Sequence, residues 1–211
     1  MWDLPIRLFH WSLAGLIGFS WWSAKNDHVD WHIWSGISIL TLLLFRLLWG
    51  LFGSSTARFA NFVRGPRTLL AYLRDNGSWR VAGHTPLGAL SVVAMLGAIA
   101  VQVSLGLISV DEDGLNQGPL ANLVTLDTSE IARDLHEAFF NVVLALIGMH
   151  IAAILYYRLV KGEKLTGAML SGRSALEPGI TPMQPGRWWA AFLCLAAALA
   201  IARWVVAGAP L

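Results

Sequence analysis

The chain has 211 residues, of which 56% are hydrophobic and 13% charged, and its formal net charge is +2. A water-soluble domain carries about 25% charged residues, so half that share excludes an ordinary soluble globule. It also excludes extensive disorder, which needs low hydrophobicity and high charge. The basic residues lie in segments between apolar runs and form no nucleic-acid-binding face.

A membrane-spanning helix needs about 20 apolar residues. Five stretches qualify: 8–24, 31–51, 87–109, 135–160 and 188–207. No strand-like alternation competes with them, so the expected fold is all-α, an integral membrane helical bundle with a four-helix core and a fifth C-terminal transmembrane helix. The first run follows Arg7, as in a secretory signal. It ends in Ser20-Trp21-Trp22 without a small-residue cleavage site and carries His10, so it is read as a retained span. After the second run, residues 59–74 mix aromatics, aliphatics and arginines, the pattern of an amphipathic helix on the inner membrane surface. Thr85-Pro86 reads as an N-cap followed by proline at the first helical position of the third span. Asp134 is the expected cap of the fourth. Residues 1–172 form the core domain, 173–187 an inner-side linker and 188–207 an accessory transmembrane helix. Eleven tryptophans, several of them flanking apolar runs, suit the headgroup region. The single cysteine, Cys194, excludes an internal disulfide and a C-x-x-C-H haem attachment site.

Lysine and arginine set the orientation. The segment after the second run holds Arg58, Arg64, Arg67, Arg74 and Arg80 against Asp75. The segment after the fourth holds Arg158, Lys161, Lys164, Arg173 and Arg187 against Glu163 and Glu177. The other two connections are acidic: Lys25 with Asp27 and Asp30, then Asp111, Glu112, Asp113, Asp127, Glu130 and Asp134 against Arg133. This asymmetry places the N-terminus inside and, with the fifth span, the C-terminus outside.

Six histidines, His10, His28, His32, His84, His136 and His150, raise the question of function. Ionisable groups within spans are costly and by default functional, and neutral imidazole is the commonest transition-metal ligand. His136 and His150 are 14 residues apart on the fourth span. That separation is about 21 Å of rise, with the two side chains within about 40° of one face. By topology His10 lies at the level of His150 near the inner surface, and His32 at the level of His136 near the outer one. Two bis-imidazole pairs at two depths are the arrangement that two stacked haems require. Histidines with ordinary interfacial hydrogen bonds are the competing reading.

Other residues have two readings each. Arg46 follows His32 by 14 residues and so reaches the inner level of the same face. It either pairs with a haem propionate or snorkels to headgroups, and Arg7, one turn from His10, has the same choice. Gly36, one turn from His32, either admits a flat macrocycle or eases helix packing. His28 sits between Asp27 and Asp30 and reads as a solvated loop residue. His84 is read as a neighbour of a propionate or headgroup, not as a ligand. Gln102 and Asn141 suit interhelical hydrogen bonds or the lining of a quinone pocket.

Several motifs resemble the bacterial cytochrome b561 family, which includes the b-type cytochrome subunits of nickel–iron hydrogenases. They are Trp2-Asp3-Leu4-Pro5-Ile6-Arg7-Leu8-Phe9-His10-Trp11, His32-Ile33-Trp34-Ser35-Gly36 with Arg46-Leu47-Leu48-Trp49-Gly50, Gly83-His84-Thr85-Pro86-Leu87-Gly88, and His136-Glu137-Ala138-Phe139-Phe140-Asn141 through Gly148-Met149-His150. The resemblance covers about residues 2–172. It implies ligation of two haem b groups by His10, His32, His136 and His150, quinone or quinol chemistry near one haem, and a redox partner on the outer face. Small members of the family have four helices, so the fifth is an addition.

The expected activity is therefore electron transfer across the membrane between the quinone pool and a periplasmic redox protein, a c-type cytochrome by preference. The acidic outer loop would steer such a cationic partner, or simply reflects the charge bias of outer loops. A superoxide:quinone oxidoreductase and the membrane anchor of a nickel–iron hydrogenase are alternatives. A membrane protein without redox chemistry belongs to a different class. The protein is thus either a component of an oxidoreductase or an enzyme itself. Lipid and quinone are its expected surroundings and no nucleic acid is.

Overall fold

The computed structural model describes residues 2–74, 83–163, 165–172 and 183–210. Asp75, Arg80, Lys164, Arg173 and Glu177 of the charge pattern, and most of the 173–187 linker, lie outside these residues. Among the described residues eight α-helices form: α1 (Leu4–Lys25), α2 (Val29–Phe52), α3 (Phe59–Phe62), α4 (Pro66–Arg74), α5 (Pro86–Ile108), α6 (Leu126–Leu159), α7 (Leu165–Ser171) and α8 (Trp188–Val206). Among the described residues the only extended pairing is a bridge between Val110 and Gln117.

α2, α5, α6 and α8 are long and apolar enough to cross a membrane. α1 has 22 residues, but its arginine, histidine, serines and tryptophans dilute its mean hydropathy. Its packing decides its role. Asp3 at its start receives the Trp49 Nε1–H at 2.9 Å from the end of α2. Near its other end, Ser20 bonds His32 at the start of α2. The two helices thus run antiparallel along their whole length, so α1 covers the same length of the bundle as α2. The hairpin closes in few residues because Asp27 takes a left-handed φ of 58°, which aspartate tolerates better than most residues, and the His28 N–H returns to the Ser23 carbonyl at 2.9 Å.

Leu90, Val142, Leu144, Ile151 and Leu199 on the long helices are all exposed. So broad an apolar surface has no counterpart on a soluble monomer. The chain is a multi-pass membrane protein. One end of the bundle is basic, with Arg58, Arg64, Arg67, Arg74, Arg158, Lys161 and Arg187. The other end carries Asp27, Asp30 and the carboxylates between α5 and α6.

Caps account for the helix starts. Asp3 Oδ1 accepts the Ile6 N–H at 2.9 Å, so α1 begins at Leu4, ahead of the apolar run. Thr85 Oγ1 accepts the Gly88 N–H at 3.1 Å, with Pro86 in the first turn, as expected. The expectation for Asp134 was wrong: it lies inside α6, beside Arg133 at 3.1 Å. The cap is Thr125, whose Oγ1 accepts from the Thr128 N–H at 3.4 Å. With 34 residues, α6 is about 51 Å long, so its polar first turns project beyond a hydrocarbon core of about 30 Å. The amphipathic stretch 59–74 is also not one helix. It is interrupted at Val63, Arg64 and Gly65, ahead of Pro66, whose ring cannot continue a preceding helix but can open one.

α2 is the spine, packed by α1, α5 and α8. α8 presents Ala190, Cys194, Ala198 and Ala202, all buried, and side chains this small let two backbones approach closely in lipid. The chain leading into α8 is fastened beforehand. Ser55 N–H donates to the Gln184 carbonyl at 3.1 Å, and Gln184 N–H donates to Ser55 Oγ at 3.0 Å. α6 packs along α5 and stands off from α1 and α2, which it meets through histidine rings.

Candidate functional site

Two histidine pairs face each other across the gap between α6 and the α1–α2 hairpin. The His10 and His150 ring centroids are 6.3 Å apart, and those of His32 and His136 are 5.8 Å apart. The first pair lies toward the basic end and the second toward the acidic end. Their 14-residue offset along α6 separates them by about 21 Å.

Ring orientation at the acidic end is set by backbone. His32 Nδ1 lies 2.9 Å from the Ser20 carbonyl oxygen, and His136 Nδ1 lies 2.8 Å from the Gln102 carbonyl oxygen. A carbonyl can only accept, so each Nδ1 carries the proton and each Nε2 is left with a bare lone pair. This is the tautomer that a metal-ligating histidine needs, fixed by its outer hydrogen bond. Ser20 Oγ adds a contact to His32 Nδ1 at 3.1 Å, and Gln102 Nε2 donates to the His136 carbonyl at 2.9 Å. Gly106 matters for space: a Cβ there would stand 2.9 Å from His136 Cε1.

The donor set discriminates between cofactors. Among the described residues no group of three or more histidine, cysteine or acidic side chains could hold a metal ion. A bare zinc site needs three or four protein ligands, so a two-imidazole pair suits a metal whose other ligands come from elsewhere. Imidazole–metal bonds of about 2 Å, plus about 1.1 Å from each nitrogen to its ring centre, put facing centroids about 6.2 Å apart. Both observed separations match. The residues present therefore fit axial ligation of a planar macrocycle at two depths. A Cβ added at Gly36 would meet nothing within 4 Å, as at Gly15, Gly18, Gly97 and Gly148, so open space there does not set Gly36 apart.

The remaining predicted residues separate clearly. Arg46 is buried and turned toward α3. Its Nη1 donates to the Ala57 carbonyl at 3.2 Å, and its guanidinium lies 4.6 Å from the Phe59 ring centre. Arg7 Nη1 donates to the Leu170 carbonyl of α7 at 2.5 Å. His28 is exposed, 4.6 Å from the Trp31 ring. His84 packs between Trp2 at 4.4 Å and Phe62 at 4.6 Å. Burial, and secondarily the nearby Arg46 charge, push its imidazole down to about 4. Gln102 takes the interhelical role. Asn141 donates to the Ala138 carbonyl on its own helix at 3.1 Å. Ser20 and Gly106 escaped the sequence reading. A serine within a span, 12 residues before a candidate ligand, was the available signal for the first; nothing local marked the second.

An all-α membrane bundle with facing histidine pairs defines a class, the membrane cytochromes b. The family model described as prokaryotic cytochrome b561 matches residues 1–172, and the chain belongs to that family. The family is one of membrane electron-transfer proteins and implies haem b as cofactor. α8 lies beyond the matched residues. Searches of curated proteins and of solved structures returned no match.

Proposed function

We propose that the chain binds two haem b groups, one between His10 and His150 and one between His32 and His136, and carries electrons between the quinone pool and a periplasmic redox protein. The observation that carries this reading is the pair of centroid separations, 6.3 and 5.8 Å, both near the about 6.2 Å that two axial imidazoles require. Haem b supplies a one-electron iron couple of tunable potential. The chain's residues hold the imidazoles. Ser20 and Gln102 keep Nε2 of His32 and His136 unprotonated, and α2 and α6 carry the two rings to the facing position. With two imidazoles holding it, each group would supply one-electron transfer and not oxygen binding.

The basic end is taken as cytoplasmic, following the bias of lysine and arginine. The acidic end then faces the periplasm, where Glu112, Asp113, Asp127, Glu130 and Asp134 are all exposed. That rim supports a cationic partner, for which a c-type cytochrome is the reading adopted, and it disfavours anionic superoxide as substrate.

A reduced-minus-oxidised spectrum of the purified protein tests the cofactor, and haem-to-protein stoichiometry of four single variants tests the pairing. His10→Ala and His150→Ala should each lose the same haem, and His32→Ala and His136→Ala the other. Absence of b-haem bands, or loss that does not sort into these pairs, would refute the reading. For the partner, reduction of a cationic c-type cytochrome by quinol-reduced protein should slow as ionic strength rises; a rate indifferent to salt would argue against the acidic rim as its docking face.

A further inference from the structure

Among the described residues, three side-chain nitrogens at the basic end are buried without a hydrogen-bond partner: Arg7 Nε, His10 Nδ1 and His84 Nδ1. His10 belongs to the proposed ligand pair; Arg7 Nε and His84 Nδ1 have no use in the fold. Buried polar groups nearly always have partners, and an exception asks for a reason. Arg46, the other cation of this region, differs: its guanidinium is spent on the Ala57 carbonyl and the Phe59 ring.

The two unpaired atoms share a neighbourhood. The Trp2 ring is 4.4 Å from the His84 ring. Trp2 O and Arg7 Cζ converge on one point, 3.0 and 3.2 Å from a Cβ placed on Gly172. Arg7 is one turn before His10 on α1, on the basic-end side of the His10–His150 pair. Both atoms are held in place. Arg7 is tethered through Nη1 to the Leu170 carbonyl at 2.5 Å, and the His84 ring is gripped by Trp2 and Phe62. What they lack is an acceptor. A porphyrin of the b type bears two carboxylates, and charge-assisted bonds to carboxylates are the strong ones.

We infer that Arg7 Nε and His84 Nδ1 donate to the carboxylates of the cofactor held by His10 and His150, and so set its orientation and potential, whereas Arg46 anchors α3. The assignment rests on the proposed ligation by His10 and His150. A neutral His84 offers one N–H and no charge. Arg7 adds a positive charge. Reduction adds one negative charge to the iron–porphyrin unit, so both donors favour the reduced state, and removing either should lower the midpoint potential.

The experiment is a potentiometric titration of the full chain, read by b-haem absorbance, for wild type, Arg7→Gln, His84→Phe and His84→Asn. His84→Phe keeps an aromatic ring between Trp2 and Phe62 and removes the donor; His84→Asn restores an N–H near the Nδ1 position. One of the two midpoints should fall in Arg7→Gln, by about tenfold in the reduction equilibrium or about 59 mV. It should fall by a smaller amount in His84→Phe and recover in His84→Asn. The same titration in a His32→Ala background, where one haem remains, should show the same shifts. Resonance Raman propionate bending modes should change in Arg7→Gln and His84→Phe alone. Unchanged midpoints and bending modes in both variants, with two haems still bound, would overturn the inference while leaving the ligation reading standing. Retention of both haems in His10→Ala would instead sink the ligation reading.

Discussion

Gly106 offers the sharpest probe of how the outer pair is held. In Gly106→Ala the new methyl would stand 2.9 Å from His136 Cε1 and 3.2 Å from Nδ1. Ordinary carbon contacts are about 3.5–4.0 Å, so the ring or its helix must yield by about 0.6–1.1 Å. The ring cannot yield freely, because Nδ1 is tied to the Gln102 carbonyl at 2.8 Å. The observed centroid separation to His32 is 5.8 Å, within about 0.4 Å of the bridging value. The required shift exceeds that slack. Overpacking of this kind costs about 1–3 kcal/mol, and if it falls on ligation the outer haem binds about 5- to 150-fold more weakly. Haem-to-protein ratio measured during dilution should fall from two toward one, with a single midpoint displaced in redox titration. A Gly106→Ala protein that keeps two haems at unchanged midpoints would show that His136 is not confined as argued.

Other perturbations follow from the same contacts. Gln102→Leu should retain the haem proposed at His32 and His136 at a cost of about 1 kcal/mol of stability, because the His136 ring is oriented by the backbone carbonyl of residue 102 and the amide bonds the His136 main-chain carbonyl; loss of that haem would contradict this. Trp49→Phe removes the donor to Asp3 Oδ2 at 2.9 Å and leaves a buried carboxylate oxygen unpaired, which should lower thermal stability in detergent by about 1–3 kcal/mol. Ala198→Leu on the fully buried face of α8 should cost about 1–3 kcal/mol by overpacking and leave both haems in place, as measured by melting and haem content. In the folded, haem-free chain, burial and the Arg46 charge lower His84 from 6.5 to about 4. The unfolded chain therefore binds the proton more readily, so stability is undiminished above about pH 6.5 and declines as pH falls toward 4. The loss approaches about 3 kcal/mol. His84→Phe should flatten that acid limb of a melting-temperature profile; an unchanged limb would assign it to other groups.

Much of this protein could be read in one dimension. Lipid removes the water that would otherwise satisfy an exposed backbone, so each crossing must be a long apolar helix, and such runs stand out in composition. Helical geometry then carries the histidines: a 14-residue spacing keeps His136 and His150 on one face whatever surrounds them. Topology brings His10 and His32 to matching depths. The ends of helices were less legible. The start of α6 at Thr125 depended on a hydroxyl finding an N–H three residues on, in a polar stretch where Asp134 looked as suitable.

Side-chain allegiance was decided only in three dimensions. Arg46 has the face and level that a cofactor carboxylate would need, but its contacts in the fold, one N–H to the Ala57 carbonyl and the guanidinium over Phe59, could not be read from that spacing. The acceptors that orient His32 and His136 are main-chain oxygens of Ser20 and Gln102, and every residue has such an oxygen, so no residue type announces them. Gly106 is required by the ring opposite it and not by its own neighbours in sequence. Periodicity can state which face of a helix a group occupies; which neighbour satisfies it depends on the approach of a second helix, and that distance is set by packing.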